Sequence, residues 1–277
     1  MPRRAAFDLA YDSSYFTSAQ LHPVSAVRLA FLGWARWAHT HAVAFPKMIR
    51  DHHAGFAVIG VRLTYGTPFG FLDGDQLTLT TTSQLLRERT LMETATTIAA
   101  EETTLARVVL LTRALSVDPA RGMAAAPAAL PDTLTDLYQH DEIHDSARFT
   151  DELTPRLQKL AGSGPAAAHG SFERLVDRQV CEAADQWCFT EVTGLLGSAR
   201  EHLIDTQGDQ QPVLRQGLAR RIASIEFKLQ RPLFLCDHVT VTTTAHPIGT
   251  TMAFVHHLAG PDGQQRGLGL ELLEDLV

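Results

Sequence analysis

The chain is poor in cysteine: Cys181, Cys188 and Cys236 are all it has in 277 residues. An odd number with no C-x-x-C pair does not build a disulfide framework, so reduced thiols in a cytoplasmic protein are the expectation. Long hydrophobic runs are missing as well. No apolar stretch approaches the roughly 20 residues that cross a bilayer. The basic start "MPRRAAFDLAYDSS" is not followed by the apolar core of a secretory signal. Positive charge is in deficit, with 24 Lys and Arg against 31 Asp and Glu for a net charge of −7. That balance argues against nucleic acid as a partner, because neutralising phosphates takes a clustered excess of cations. No Gly-rich phosphate loop, Walker motif or G-x-S-x-G elbow is present. The histidines are scattered through "HTH", "DHH", "HDEIH" and "HH". His140 and His144 stand four apart, but Asp141 follows His140, which is not the H-E-x-x-H order. No metal site and no cofactor is expected.

What the chain does have is hydrophobic residues, 45% of the total, and a length that suits one large domain or two smaller ones. It also repeats itself. "LTYGTPFGFLDGDQLTLTTT" (63–82) is echoed by "FKLQRPLFLCDHVTVTTT" (227–244), with Pro68 and Pro232 separated by 164 positions. The same offset lays "FLGWAR" (31–36) on "LLGSAR" (195–200). Asp75 and Asp237 are 162 apart, so the first copy has two extra residues in its turn. Each half then reads alike: a short extended segment, a helical run with apolar residues three and four apart, and four strand-like segments. The helical runs are "VSAVRLAFLGWARWAHTHAVAF" and "CFTEVTGLLGSAREHLIDTQG". Leu77 and Leu79 alternate with Thr78 and Thr80, as in a strand with one packed face. Pro68 and Pro232 are expected at strand edges or bulges. One helix laid on an antiparallel sheet makes each half an α+β unit. The expected division is 1–117, a connection over 118–170 with Ala/Gly/Pro-rich ends and one or two short helices, and 171–277.

These residues resemble the hotdog fold of acyl-thioester enzymes. "VRLTYGTPFGFLDGDQLTLTTT" is similar to the family's second and third strands, and "EFKLQRPLFLCDHVTVTTT" more so. Two copies in one chain resemble a double hotdog, in which the halves pair as two subunits do in single-domain relatives. The resemblance implies an acyl-CoA or acyl-carrier-protein thioester as substrate, with hydrolysis as the first activity, in polyketide or fatty-acid-type secondary metabolism. The scaffold also hosts dehydratases, acyltransferase/decarboxylases and non-catalytic acyl binders. A homodimer is a further expectation.

Similar thioesterases carry a loop reading roughly Asp-x-Asp-x-x-Gly-His-Val-Asn before the central helix. "CEAADQWCFTEVTGLLG" lies on it with Glu182 at the catalytic acid, Ala184 at the second acid, Trp187 at Gly, Cys188 at His and Thr190 at Asn. The resemblance thus implies Glu182 as base or nucleophile, with Asp185 as the other carboxylate able to serve; each also reads as an ordinary loop acid or helix cap. The offset of 164 sets Ser18 opposite Glu182, Leu21 opposite Asp185 and His22 opposite Gln186, so the first half has no acid here. His22 reads as a general base, a donor to the thioester oxygen, or a plain helix-start residue. Paired with Asp185 it would match the dehydratase chemistry, although Ala26 stands where that motif has Gly. Tyr65, Thr67, Gln186, Trp187 and Thr190 are candidate substrate contacts. Arg231, with Arg220 and Arg221, is a candidate for the phosphates of coenzyme A or phosphopantetheine, or else a solvated basic surface.

Overall fold

Pro23 at the first helical position and His22 at the cap start the first long helix where the sequence has its best N-terminal signal. This helix, α1, runs Pro23–His41, and the His22 ring accepts the Val24 N–H. The computed structural model describes residues 3–86, 89–138 and 149–274. His140 and His144 of the "HDEIH" segment lie outside them. The chain divides into two compact units, Met1–Ser146 and Ala147–Val277.

In the first unit β1 (Arg4–Ala10) precedes α1, and a short helix α2 (Phe45–His52) follows it. Then come β2 (Ala54–Tyr65), β3 (Gln76–Leu86), β4 (Leu91–Ala100) and β5 (Thr103–Asp118). A short β6 (Ala124–Pro127) pairs with β5, and α3 (Asp132–Tyr138) closes the described part of the unit. The antiparallel strands are ordered β1-β3-β4-β5-β2. Leu77 and Leu79 are fully buried, as their alternation requires. Thr81 and Thr96 point inward and share a 2.9 Å hydrogen bond beneath α1. Gly33 makes that approach possible, since a Cβ there would meet Thr81 Oγ1 at 2.3 Å.

The second unit opens with α4 (Phe149–Gly162) and β7 (Ala168–Leu175). It continues through α5 (Val192–Gln207), a short α6 (Pro212–Arg215), β8 (Ile222–Leu229), β9 (His238–Ile248), β10 (Thr251–Ala259) and β11 (Gln265–Leu273). Its strand order, β7-β9-β10-β11-β8, is that of the first unit, element for element. Leu153 and Leu157 of α4 pack on Ala253, Val255, Leu268 and Leu270, on one face of β10 and β11. The alternate residues, among them His256, Gly269 and Glu271, face α5.

The α5 side holds a buried polar layer. Arg200 donates to Glu271 Oε2 at 3.0 Å, and His256 Nε2 lies 3.3 Å from the same oxygen. The other ring nitrogen of His256 is 2.9 Å from Thr243 Oγ1. Burial pushes the Glu271 carboxyl up, but the Arg200 guanidinium and His256 outweigh it and hold the group below its usual range. Strand register makes Thr81, Thr96 and Leu110 the first unit's counterparts of Thr243, His256 and Glu271.

Two expectations need correction. Pro68 and Pro232 lie beyond the ends of β2 and β8, in the loops to the next strands, where no ladder hydrogen bond is asked of them. The single offset of 164 holds between β2 and β8 but not at the helices. Moving the buried residues of α1 on by 166 positions reproduces those of α5 one for one, from Ala26 on Val192 to Ala38 on Ile204. The identities shared by "LGWAR" and "LGSAR" therefore fall on different faces of the two helices.

Candidate active site

The loop before α5 is built from local ties. Asp177 caps the turn Arg178–Val180 by accepting the Gln179 N–H at 2.8 Å. Cys181 bridges Trp187 as a minute hairpin, and Glu182 N donates to Gln186 O at 2.8 Å across its mouth. The loop after β8 lies alongside. Gln186 bridges Phe234, Trp187 N donates to Leu233 O, and Leu235 N donates to Asp185 O at 2.9 Å. Cys188 is then the cap of a single tight turn, Phe189–Glu191, which runs straight into α5.

Glu182 sits at the mouth of this hairpin. The residue keeps an exposed surface, yet desolvation of its carboxyl raises its pKa above the ordinary range. No cation or hydrogen-bond donor offsets that among the described residues. Asp185 is different. It stands in the left-handed region at φ 54 and is tied to Arg178 at 2.8 Å, with both side chains exposed. It does not cap the helix; it closes the hairpin. Trp187 is 7% exposed and its indole N–H is buried with no partner among the described residues. Gln186 is half-buried. Thr190 is buried and donates to Glu191 Oε1 at 3.0 Å, and its oxygen lies 3.2 Å from the half-buried Cys188 Sγ. Glu191 was passed over in the sequence, although its place directly after Thr190 was a usable signal.

The first unit has the same frame with other contents. Asp12 caps Ser13–Tyr15 as Asp177 does, and Phe16 bridges Leu21. His22 N donates to Tyr15 O at 2.7 Å, just as Cys188 N donates to Val180 O at 2.8 Å. The true opposite of His22 is therefore Cys188 rather than Gln186. Thr17, whose N–H is bonded to Gln20 O, stands opposite Glu182 in place of Ser18. Leu21 pairs with Trp187, which leaves the second loop one residue longer, at the turn that holds Asp185. The first unit has no acid in this loop, as expected.

Within this unit His22 and Tyr65 are brought close: the Tyr65 hydroxyl, nearly buried, donates to the Leu21 carbonyl at 2.7 Å. Tyr65 is thus a strut under the loop. His22 accepts the Val24 N–H through Nδ1 at 3.2 Å. Thr67 is exposed in the loop after β2, apart from that pair. In the second unit the arginines do not form one basic cluster. Arg231 is bonded to Gln264, Arg220 to the Thr250 carbonyl and Arg221 to Glu274. No group of three His, Cys, Asp or Glu among the described residues is placed to hold a metal, and no helix among them is long and apolar enough to cross a membrane.

The arrangement of two like units, each with a helix on its sheet, was compared with known structures. A protein of Lactobacillus plantarum provisionally named an oleoyl thioesterase matches 100% of this chain and 98% of its own, with a TM-score of 0.72 at 10% identity. The 12:0-ACP thioesterase of Umbellularia californica matches over 99% and 94%, with a TM-score of 0.71 at 9% identity. An acyl-ACP thioesterase of Bacteroides thetaiotaomicron matches over 98% of each chain, at 0.66 and 6%. The chain has the double-hotdog fold. No protein-family model and no curated protein sequence matches it. In this double hotdog the loops before the two central helices share a hydrogen-bonded frame, and the second holds the carboxylates.

Proposed function

We propose that the chain hydrolyses acyl thioesters of coenzyme A or of an acyl carrier protein, with Glu182 as the base that activates water. The observation that carries this reading is the state of Glu182: a desolvated carboxylate without a cation partner, with its pKa raised, in the loop that feeds the central helix. A base poised nearer neutrality takes a proton from water more effectively. Hydroxide attacks the thioester carbonyl, the C–S bond breaks, and the departing thiolate takes up a proton. The start of the helix after Cys188 offers its positive end to the oxyanion. The fold likeness to structures named as thioesterases supports the same reading.

The dehydratase alternative would use His22 and Asp185. It is not favoured, because the Nδ1 of His22 is engaged as a helix cap and Asp185 is held by Arg178. The test is release of free thiol from a panel of saturated acyl-CoAs and acyl carrier proteins, including those of polyketide type. Glu182→Gln should lower kcat by roughly 10²–10⁴-fold. Full turnover in this variant, or products lacking water or carbon dioxide in place of free acid, would sink the proposal.

A further inference from the structure

The cap of the central helix holds a proton relay that water activation by Glu182 does not use. Thr190 has one hydroxyl proton, and it is donated to Glu191 Oε1 at 3.0 Å, since an ionised carboxylate only accepts. The 3.2 Å contact between Cys188 Sγ and Thr190 Oγ1 can therefore be filled only by the thiol proton. The order thiol, hydroxyl, carboxylate is thereby set by donor count alone. Cys188 makes no capping bond with its side chain, in contrast to His22 at the same place in the first unit. Cys188 and Glu191 are both half-buried, whereas Thr190 between them is 4% exposed, so the sulfur is an accessible end of the relay. One residue earlier, the Trp187 indole N–H is buried without an acceptor among the described residues. A buried donor left unpaired in the free protein is the kind of group that a ligand carbonyl satisfies.

Resting on the thioester reading above, we propose that Cys188 is an acyl-accepting nucleophile, so that the protein passes the acyl group through its own thiol. The Cys188 proton moves to Thr190 as the Thr190 proton moves to Glu191. The sulfur forms a bond to the thioester carbonyl carbon, and the bond from that carbon to the pantetheine sulfur breaks. The departing thiolate takes a proton from Thr190, which Glu191 reprotonates. One thioester has replaced another, with no oxidant or reductant needed. The step is close to thermoneutral because the bonds broken and made are alike. Glu182 then takes a proton from water, the water oxygen bonds to the acyl carbon, and the bond from that carbon to Cys188 Sγ breaks. The Cys188 thiolate takes up the proton that Glu182 holds; a thiol acceptor arriving first would receive the acyl group instead.

The experiment uses the full chain in a Cys181→Ser/Cys236→Ser background, in which Cys188 is the only thiol. It is mixed with hexanoyl-CoA, quenched in acid within the first turnovers and read by intact and peptide mass. The expected result is one hexanoyl group on the Cys188 peptide, accumulating further with Glu182→Gln. Cys188→Ala should abolish the adduct and lower kcat at least 100-fold. Thr190→Val should slow adduct formation about 10-fold while leaving the Glu182→Gln trap intact. Wild-type turnover in Cys188→Ala, or no adduct in either background, overturns the proposal while hydrolysis by Glu182 stands. Adduct formation without release of free acid upholds the acyl-Cys188 step and instead overturns the hydrolase reading.

Discussion

Arg200→Met removes the cation from the layer beneath α5 and leaves Glu271, which is 0% exposed, charged and buried. At the 3.0 Å separation of Arg200 and Glu271 the attraction is about 5 kcal/mol for an effective dielectric of ~20. Breaking a buried pair by deleting one partner costs about 3–5 kcal/mol, because the survivor has no compensating charge. Glu201 cannot substitute, being an acid, and His256 offers only a 3.3 Å contact to the same oxygen. With about 2–4 °C of melting temperature per kcal/mol, the variant should melt roughly 6–20 °C lower at pH 7.

The contrasting variant, Arg200→Met/His256→Thr/Glu271→Leu, gives these strands the side chains that Thr96 and Leu110 supply in the first unit. It should recover most of the loss, since replacing a whole buried charged group with packed apolar residues is often neutral. The pH dependence has a definite sign. In the parent chain Glu271 is held low, so its contribution is present above the free carboxylate value of about 4.3 and is lost as pH falls through the depressed value. In Arg200→Met only the His256 contact still opposes burial at Glu271, and the balance moves toward its protonated form. The gap between the two proteins therefore narrows on acidification. Calorimetry between pH 3.5 and 8 measures this. A shift under ~2 °C for the single variant, or a triple variant as unstable as the single, would refute the reasoning.

The raised pKa of Glu182 should place the acidic limb of kcat/KM above the ~4.3 of a free glutamate, with activity rising as pH passes through it; a limb at or below that value contradicts the desolvated base. Since folding disfavours its ionised form, Glu182→Gln should melt no lower than the parent at pH 7, which separates lost chemistry from lost folding in the same sample. Asp185→Asn breaks an exposed pair worth about 0–1 kcal/mol, so turnover should stay within about threefold and melting within a few degrees. Tyr65→Phe orphans the Leu21 carbonyl at a cost of about 1–3 kcal/mol, read by denaturant unfolding, and leaves acyl selectivity unchanged if Tyr65 is a strut.

The strands were legible because their signal is local and has period two. Leu77 and Leu79 alternate with threonines on β3, and the same alternation recurs on β9 with Val239 and Val241 buried. The repeat added the order of elements, which strand register then reproduces in both units. The helices misled for a physical reason. A helix buries about half its residues, and which half depends on angular phase. Four shared letters in "LGWAR" and "LGSAR" outweighed that phase and set the comparison off by two positions. His22 was consequently placed opposite Gln186, and the equivalence of His22 and Cys188 became visible only through their matching backbone hydrogen bonds. Arg178 and Asp185 are joined across a loop, where neither helical nor strand periodicity applies to reveal the pair. The layer of Arg200, His256 and Glu271 was hidden similarly, because its members come from α5, β10 and β11.

The two units show where chemistry can be added to a scaffold that must keep its hydrogen bonds. The frame before each central helix is the same: an aspartate-capped turn, a bridge, and a cap residue whose N–H returns to the turn. Every one of those ties uses main-chain atoms or the capping aspartate, so the remaining side chains are free to differ without cost to the fold. In the first unit the freedom is spent on structure. His22 caps its helix through its ring, and Tyr65 braces the loop from below. In the second unit no tyrosine stands at the end of β8, the ring is replaced by a thiol, and the loop gains one residue and two acids. Of these acids Asp185 is committed to Arg178, and the left-handed turn it occupies accommodates the extra residue. Glu182 is left as the carboxylate whose side chain has no partner among the described residues, and Cys188 as the cap whose side chain does no capping. Groups that the fold does not need for its own hydrogen bonds are the ones for which reactivity supplies the reason.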